Sequence, residues 1–192
     1  AGAGEAYRAA LADYEAIGAR LGAANTRKAL GDLALRQDDL AGAGEAYRAA
    51  LADYEAIGAR LGAANTRKAL GDLALRQDDL AGAGEAYRAA LADQEAIGDR
   101  LGAANTLSSM GQLALVEGRK AEADQLLAQA VNIYKAIGSR YSVPAQIGNY
   151  GWTLLRVGRK EEARPYFLQA AELFDEIGFH DYADRHRRAA GA

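Results

Sequence analysis

Residues 41–80 read AGAGEAYRAA LADYEAIGAR LGAANTRKAL GDLALRQDDL, and residues 1–40 are the same forty letters. Residues 81–120 differ from that block at twelve positions, beginning with Gln94 where Tyr14 and Tyr54 stand. Further on the letters drift while the period persists. Ala-Ile-Gly at 56–58 returns at 96–98 and 136–138, and as Glu-Ile-Gly at 176–178. A fixed period through the whole chain is the signature of a repeat architecture, in which each unit buries its apolar face against the next.

Two helices fit each period. From Leu40 to Ile57, the residues Ala43, Tyr47, Ala50, Tyr54 and Ile57 fall at i, i+4, i+7, i+11 and i+14, one apolar stripe at helical spacing. Asp38 and Asp39 supply a capping oxygen and negative charge at its start, and Gly58 can take the left-handed conformation that ends it. A second helix is predicted from about Leu61 to Arg76, with Ala64, Leu70, Gly71 and Ala74 on the buried side. At 1.5 Å per residue each helix is about 25 Å long, and short connections make neighbours antiparallel. Gly31, Gly71, Gly111 and Gly151 recur mid-helix, where each costs about 1 kcal/mol relative to alanine, so close helix contact is expected as compensation. Gly42 and Gly44 should loosen the first turns of their helix.

Composition narrows the function. The chain has 192 residues, a formal net charge of -3, no cysteine, 50% hydrophobic residues and only 7% aromatics. Apolar content carried by alanine and leucine suits closely packed helices. Lack of cysteine removes disulfides, thiolate zinc sites and cysteine nucleophiles, and agrees with a reducing compartment. Charges within the first twenty residues argue against a secretory leader, and no uncharged apolar run approaches a membrane span. A cytoplasmic chain with no membrane role is expected. Each early repeat sets six acids against five bases, which is not the one-sign field of a nucleic-acid binder.

Leu30-Gly31, Leu33-Ala34, Ala43, Tyr47 and Ala50 together resemble a tetratricopeptide repeat. The match recurs as Leu70-Gly71, Ala83, Tyr87, Ala90; as Met110-Gly111, Ala123, Leu127, Ala130; and as Tyr150-Gly151, Ala163, Phe167, Ala170. The period is 40 instead of the family's 34, and Arg27 stands where the family has tryptophan. The longer period is similar to the LGN/Pins class of spindle-orientation adaptors and to arrays in bacterial STAND-type signalling ATPases. The resemblance implies an all-α, right-handed α-solenoid of antiparallel helix pairs (a TPR superhelix). It would comprise a half-repeat 1–18, repeats 19–58, 59–98, 99–138 and 139–178, and a capping helix 179–192.

It also implies that the first helix of each unit lines a concave face. The groove positions are then Asn25, Lys28, Asp32, Leu35 and Arg36; Asn65, Lys68, Asp72, Leu75 and Arg76; Asn105, Ser108, Gln112 and Leu115; and Asn149, Trp152, Leu155 and Arg156. Asparagines can hydrogen-bond the main chain of an extended peptide, Lys and Arg can pair with its acidic side chains, and Trp152 is an anchor. A structural reading stays open beside this. Lys28, Asp32 and Arg36 at i, i+4 and i+8 can pair along a solvated face, Asn25 can brace its helix, and Trp152 can be core. Ala29 and Ala69 occupy the places where a carboxylate clamp for chaperone tails wants asparagine.

Other motifs carry less. Gly42-Ala43-Gly44 lacks the third glycine and the preceding strand of a phosphate loop. His180 and His186, six apart, fall on different helix faces, which disfavours a metal pair. Arg185, Arg187 and Arg188 solvate a final helix from about His180 to Ala190. Pro144 fits if Ser142 caps a helix that starts later than its equivalents; Pro165 should bend a helix or cost it a bond near Glu161. The expected function is a non-enzymatic, cofactor-free scaffold for a protein or extended peptide. The competing reading is a structural spacer, or an idealised or excised array from a larger signalling protein, associating end to end through an uncapped first helix.

Overall fold

A computed structural model describes residues 2–191, which form ten α-helices and no strands. They are α1 (Ala3–Ala16), α2 (Arg20–Arg36), α3 (Leu40–Ala56), α4 (Arg60–Arg76), α5 (Leu80–Ile97), α6 (Arg100–Val116), α7 (Lys120–Ala136), α8 (Ser142–Arg156), α9 (Lys160–Glu176) and α10 (His180–Gly191). The chain gathers into two compact units, one ending at Asp99 and one beginning at Arg100. In the first, α2 pairs with α3 and α4 with α5; α1 lies on α2, α3 on α4, and α2 touches α4. In the second, α6 pairs with α7, α8 with α9, and α10 covers α9.

The turns follow from a few residues. At the end of α3 the Ala59 N–H reaches the Tyr54 carbonyl at 2.8 Å and the Gly58 N–H the Glu55 carbonyl, with Gly58 at φ 67°: a Schellman motif. The same motif ends α2 and α4, but there Asp38 and Asp78 take the left-handed position, at φ 62° and 59°, where the later repeats place Gly118 and Gly158. A left-handed conformation costs a side-chain-bearing residue, aspartate less than most. Asp78→Gly is therefore expected to stabilise the first unit by about 0.5 kcal/mol, read as a raised urea midpoint with unchanged slope. A lowered midpoint would contradict it.

The first turn of α3 explains Gly42. The Asp39 carboxylate caps the helix by accepting from the Gly42 N–H at 2.9 Å, and a Cβ on Gly42 would collide with that carboxylate. Gly44 is packed against Leu73 of α4, where a Cβ would stand 3.3 Å from the leucine. Both glycines make room for a contact instead of loosening the helix.

Boundaries and burial depart from expectation in small ways. Ile57 forms the C-cap, so α3 ends at Ala56, and α4 begins at Arg60. Leu70 and Ala74 are only half-buried; Ala63, Ala64, Thr66, Gly71 and Leu73 are the buried set. The cause is that α4 is covered from two sides, by α3 and α5, so its buried sector is wider than one stripe. Helix α8 does start two residues later than the equivalents of Arg60 and Arg100. Ser142, however, is its first helical residue and not its cap, and its hydroxyl accepts from the Ser139 hydroxyl at 2.7 Å. Pro165 lies inside a continuous α9, where it has no N–H for the Glu161 carbonyl.

Candidate peptide-binding groove

In the first unit, α2 and α4 present their N-terminal halves side by side and leave a groove of about 460 Å³ between them. Leu21 and Leu61, each 53% exposed, form its apolar floor. Asn25 and Lys28 of α2, Arg60 and Asn65 of α4, and the edge of Tyr54 complete the wall. Three of the residues expected from sequence, Asn25, Lys28 and Asn65, are thus brought together. Leu21, Leu61 and Arg60 were missed because they lie in a first turn, off the buried stripe. Their signal was present: Leu21, Leu61 and Leu101 repeat at a phase with no buried role, and Leu101 is also exposed.

Each polar group of the groove has a definable state. The Tyr54 hydroxyl donates to Asn25 Oδ1 at 2.6 Å, which orients the asparagine and leaves its amide N–H groups to donate. Gln94 stands where a tyrosine would serve Asn65, and among the described residues no hydrogen bond engages the Asn65 side chain. Lys28 Nζ sits 3.0 Å from Asp32 one turn along α2, and its ammonium keeps donors to spare.

Of the other expected positions in this unit, Asp32, Lys68, Asp72 and Arg76 are tied to the protein. Asp32 accepts from the Tyr47 hydroxyl at 2.8 Å, and Asp72 from Tyr87 at 2.8 Å and from Lys68 at 2.8 Å. Burial first, and then the bond to Asp32, push the Tyr47 phenol well above its ordinary value, so it remains a donor. Arg76 reaches back to the Leu35 carbonyl and to Asp38, strapping α4 to the turn after α2. Arg36 is exposed, while Leu35 and Leu75 are half-buried. Arg27 ties three helices together by pairing with Glu15 of α1 and Asp53 of α3, and Arg67 repeats this with Glu55 and Asp93.

In the second unit Asn105 accepts from the Tyr134 hydroxyl at 2.7 Å, the same brace that Tyr54 gives Asn25. Gln112 and Leu155 are half-buried, Asn149 and Arg156 exposed. Leu115 and Ser108 are buried, so neither faces a groove; this unit packs that sector of α6 into its core. Trp152 is half-buried against Phe167, ring centroids 4.8 Å apart, with the Arg185 guanidinium 5.6 Å from its centroid. Both readings of Trp152 thus have a basis: it braces α10 and keeps part of its ring outside. His186 is buried beside Phe174 and bonds the Tyr182 carbonyl, whereas His180 is exposed beside Asp175, on another face. Arg187 pairs with Asp175 and Asp184.

The polar tie of this unit has moved. Gln112 and Leu127 replace the Asp72–Tyr87 pair, and Asp124 of α7 instead accepts from Tyr150 at 2.5 Å, Tyr166 at 3.0 Å and Lys120. Burial would raise the Asp124 carboxyl, but those bonds outweigh it and hold it below the usual carboxylate range. A carboxyl depressed on folding stabilises above its unfolded value near 4 and loses that contribution as pH falls through the folded value. Asp124→Asn is expected to cost about 1 kcal/mol at neutral pH and to remove part of the acid-side decline of the second unit's urea midpoint. An unaltered acid profile would count against this account.

The helix pairs place the chain in a structural class, the all-α helical repeats of the solenoid kind. No family model and no curated protein matches the sequence. Solved structures do match over nearly the whole chain. BtubC (BKLC) from P. vanneervenii is similar at TM-score 0.69 and 14% identity, over 100% of this chain and 92% of that one. Aspartyl phosphate phosphatase F from Bacillus subtilis matches at 0.63 and 11% over 90% of this chain, which spans 49% of its length. The apo form of RapI matches at 0.59 and 11%, over 97% and 81%. At such identities these likenesses show the fold alone. Among the described residues no helix is long and apolar enough to cross a membrane.

Proposed function

We propose that the chain is a protein-binding scaffold, not an enzyme, whose α2–α4 groove takes an extended acidic peptide. The observation that carries this is the joining of two exposed leucines with unengaged asparagine donors and two cations, Lys28 and Arg60, on one wall. The leucines would hold apolar side chains, the asparagines would read main chain, and the cations would select Asp or Glu. Within this unit Lys68 would extend that surface along α4. A cytoplasmic setting suits a cysteine-free chain of this kind.

An array of nonamer peptides with graded acidic content tests the reading. Retention should rise with Asp and Glu content, weaken at higher salt, and fall about tenfold for Lys28→Glu with Arg60→Glu, roughly 1.4 kcal/mol. Retention indifferent to both substitutions would move the site elsewhere. A second reading, a spacer without a ligand of its own that associates end to end, draws on the letter-for-letter identity of two blocks. Concentration-dependent sedimentation supports it; one monomer at all concentrations opposes it.

A further inference from the structure

One cleft recurs in both units, and its two copies are furnished differently. In the first unit it lies where the ends of α3 and α5 meet the start of α4, a space of about 280 Å³ edged by Tyr54, Glu55, Arg60, Arg67 and Asp93. Arg67 crosses it, pairing with Glu55 on one side and Asp93 on the other. The counterpart in the second unit, of about 240 Å³, lies among α7, α8 and α9. Because the first copy is open although the chain continues beyond α5, the cleft belongs to the repeat and not to an end of the array.

Eighty positions on, the members of that ion triad become Lys135, Ile147 and Leu173. No guanidinium crosses this copy. Ile147 is buried, and Val143, Pro144, Leu173 and Ile177 give the cleft an apolar floor. Charge has moved to the rim. Lys135 ends α7 and Arg140 lies in the turn after it, while Glu176, in the place of Ala96, ends α9. All three are exposed, and among the described residues no ion pair or hydrogen bond engages their side chains. The last turn of α9 carries no basic residue, so the negative end of its dipole reinforces Glu176.

We infer that this cleft binds a free α-amino acid with a bulky aliphatic or aromatic side chain. The apolar floor would take the side chain, Lys135 and Arg140 the carboxylate, and Glu176 with the end of α9 the ammonium. The volume sets the size, since 240 Å³ falls below the roughly 300–1,000 Å³ of a site for a drug-sized ligand. A simple fatty carboxylate would leave Glu176 opposing it, and the interior of a peptide brings neither charge to the two rims.

L-Leucine and L-phenylalanine, titrated into the whole chain and followed by the NMR shifts of Val143, Leu173 and Ile177, test this. Both should saturate a single site with a dissociation constant on the order of 1 mM. Lys135→Glu with Arg140→Glu should weaken binding about tenfold, and Glu176→Lys likewise. Lys135→Glu, Ile147→Arg and Leu173→Asp together rebuild the triad that the first unit accommodates, and should abolish saturation with the helical circular dichroism retained. Lack of saturation up to about 20 mM overturns the inference. So does leucine binding that survives the charge reversals. It is equally overturned if 4-methylpentanoate, which has no ammonium, or N-acetylleucinamide, which has neither charge, binds as tightly as leucine. None of these results depends on the α2–α4 groove.

Discussion

Tyr47→Ala is expected to destabilise the first unit by about 4 kcal/mol. The ring is 1% exposed and packs with Ala43 and Leu73, flanked by Leu35, Leu40 and Leu70, so one side chain fills the seam between α2, α3 and α4. Truncation removes the ring's transfer free energy and leaves a void that three helices cannot close without shifting. Tyr47→Phe should cost about 1 kcal/mol, because only the bond to Asp32 is lost and Lys28 still serves that carboxylate. The two variants also differ in pH response. Burial and Asp32 raise the Tyr47 phenol in the folded state, so its contribution is complete below the unfolded value near 10 and is lost as pH rises beyond it. Tyr47→Phe should flatten the alkaline decline of stability. Urea unfolding of both variants, with amide exchange followed in α2 and α3, measures this; a Tyr47→Ala cost below about 1.5 kcal/mol would show the seam repacks.

Much of this seam was legible in the letters. The stripe Ala43, Tyr47, Ala50, Tyr54 announced a helix with one covered side, and its recurrence announced what covers it, since a two-helix unit cannot shield itself. Asp39 and Gly58 marked the ends correctly because caps are local chemistry. Less legible were contacts that span 15 to 29 residues. Asp32 and Asn25 share a helix phase with Lys28 and look equally available, yet tyrosine hydroxyls of the following helix claim both. A helical wheel shows which residues share a side; it does not show how far a tyrosine reaches. Leu21 and Leu61 were overlooked for the converse reason, because exposed leucines in a first turn have no periodic apolar neighbours. Asn65 lines the groove as expected of its helix phase, but its freedom rests on Gln94, a substitution 29 positions away. Gly42 looked like a defect until the Asp39 carboxylate beside it explained the missing Cβ.

The mid-helix glycines make the same dependence measurable, with opposite signs at two equivalent positions. A Cβ on Gly31 would stand 2.6 Å from two ring carbons of Tyr47, and the ring cannot yield because its other side is the buried seam. Gly31→Ala should therefore part α2 from α3, an overpacking cost of about 3 kcal/mol offset by about 1 kcal/mol of better helix propensity, for a net loss near 2 kcal/mol. At Gly111 the aromatic ring is replaced by Leu127, and the nearest atoms to a new Cβ are the Ala123 carbonyl oxygen at 3.4 Å and Leu126 Cβ at 3.6 Å. With that space available, propensity dominates, and Gly111→Ala should stabilise the second unit by about 0.5 kcal/mol. The double variant Gly31→Ala, Tyr47→Leu separates ring from backbone. If the ring is the obstacle, Gly31→Ala costs almost nothing once leucine replaces it, a coupling of about 2 kcal/mol in a mutant cycle. A Gly31→Ala penalty that survives the loss of the ring would place the constraint in the helix backbones themselves.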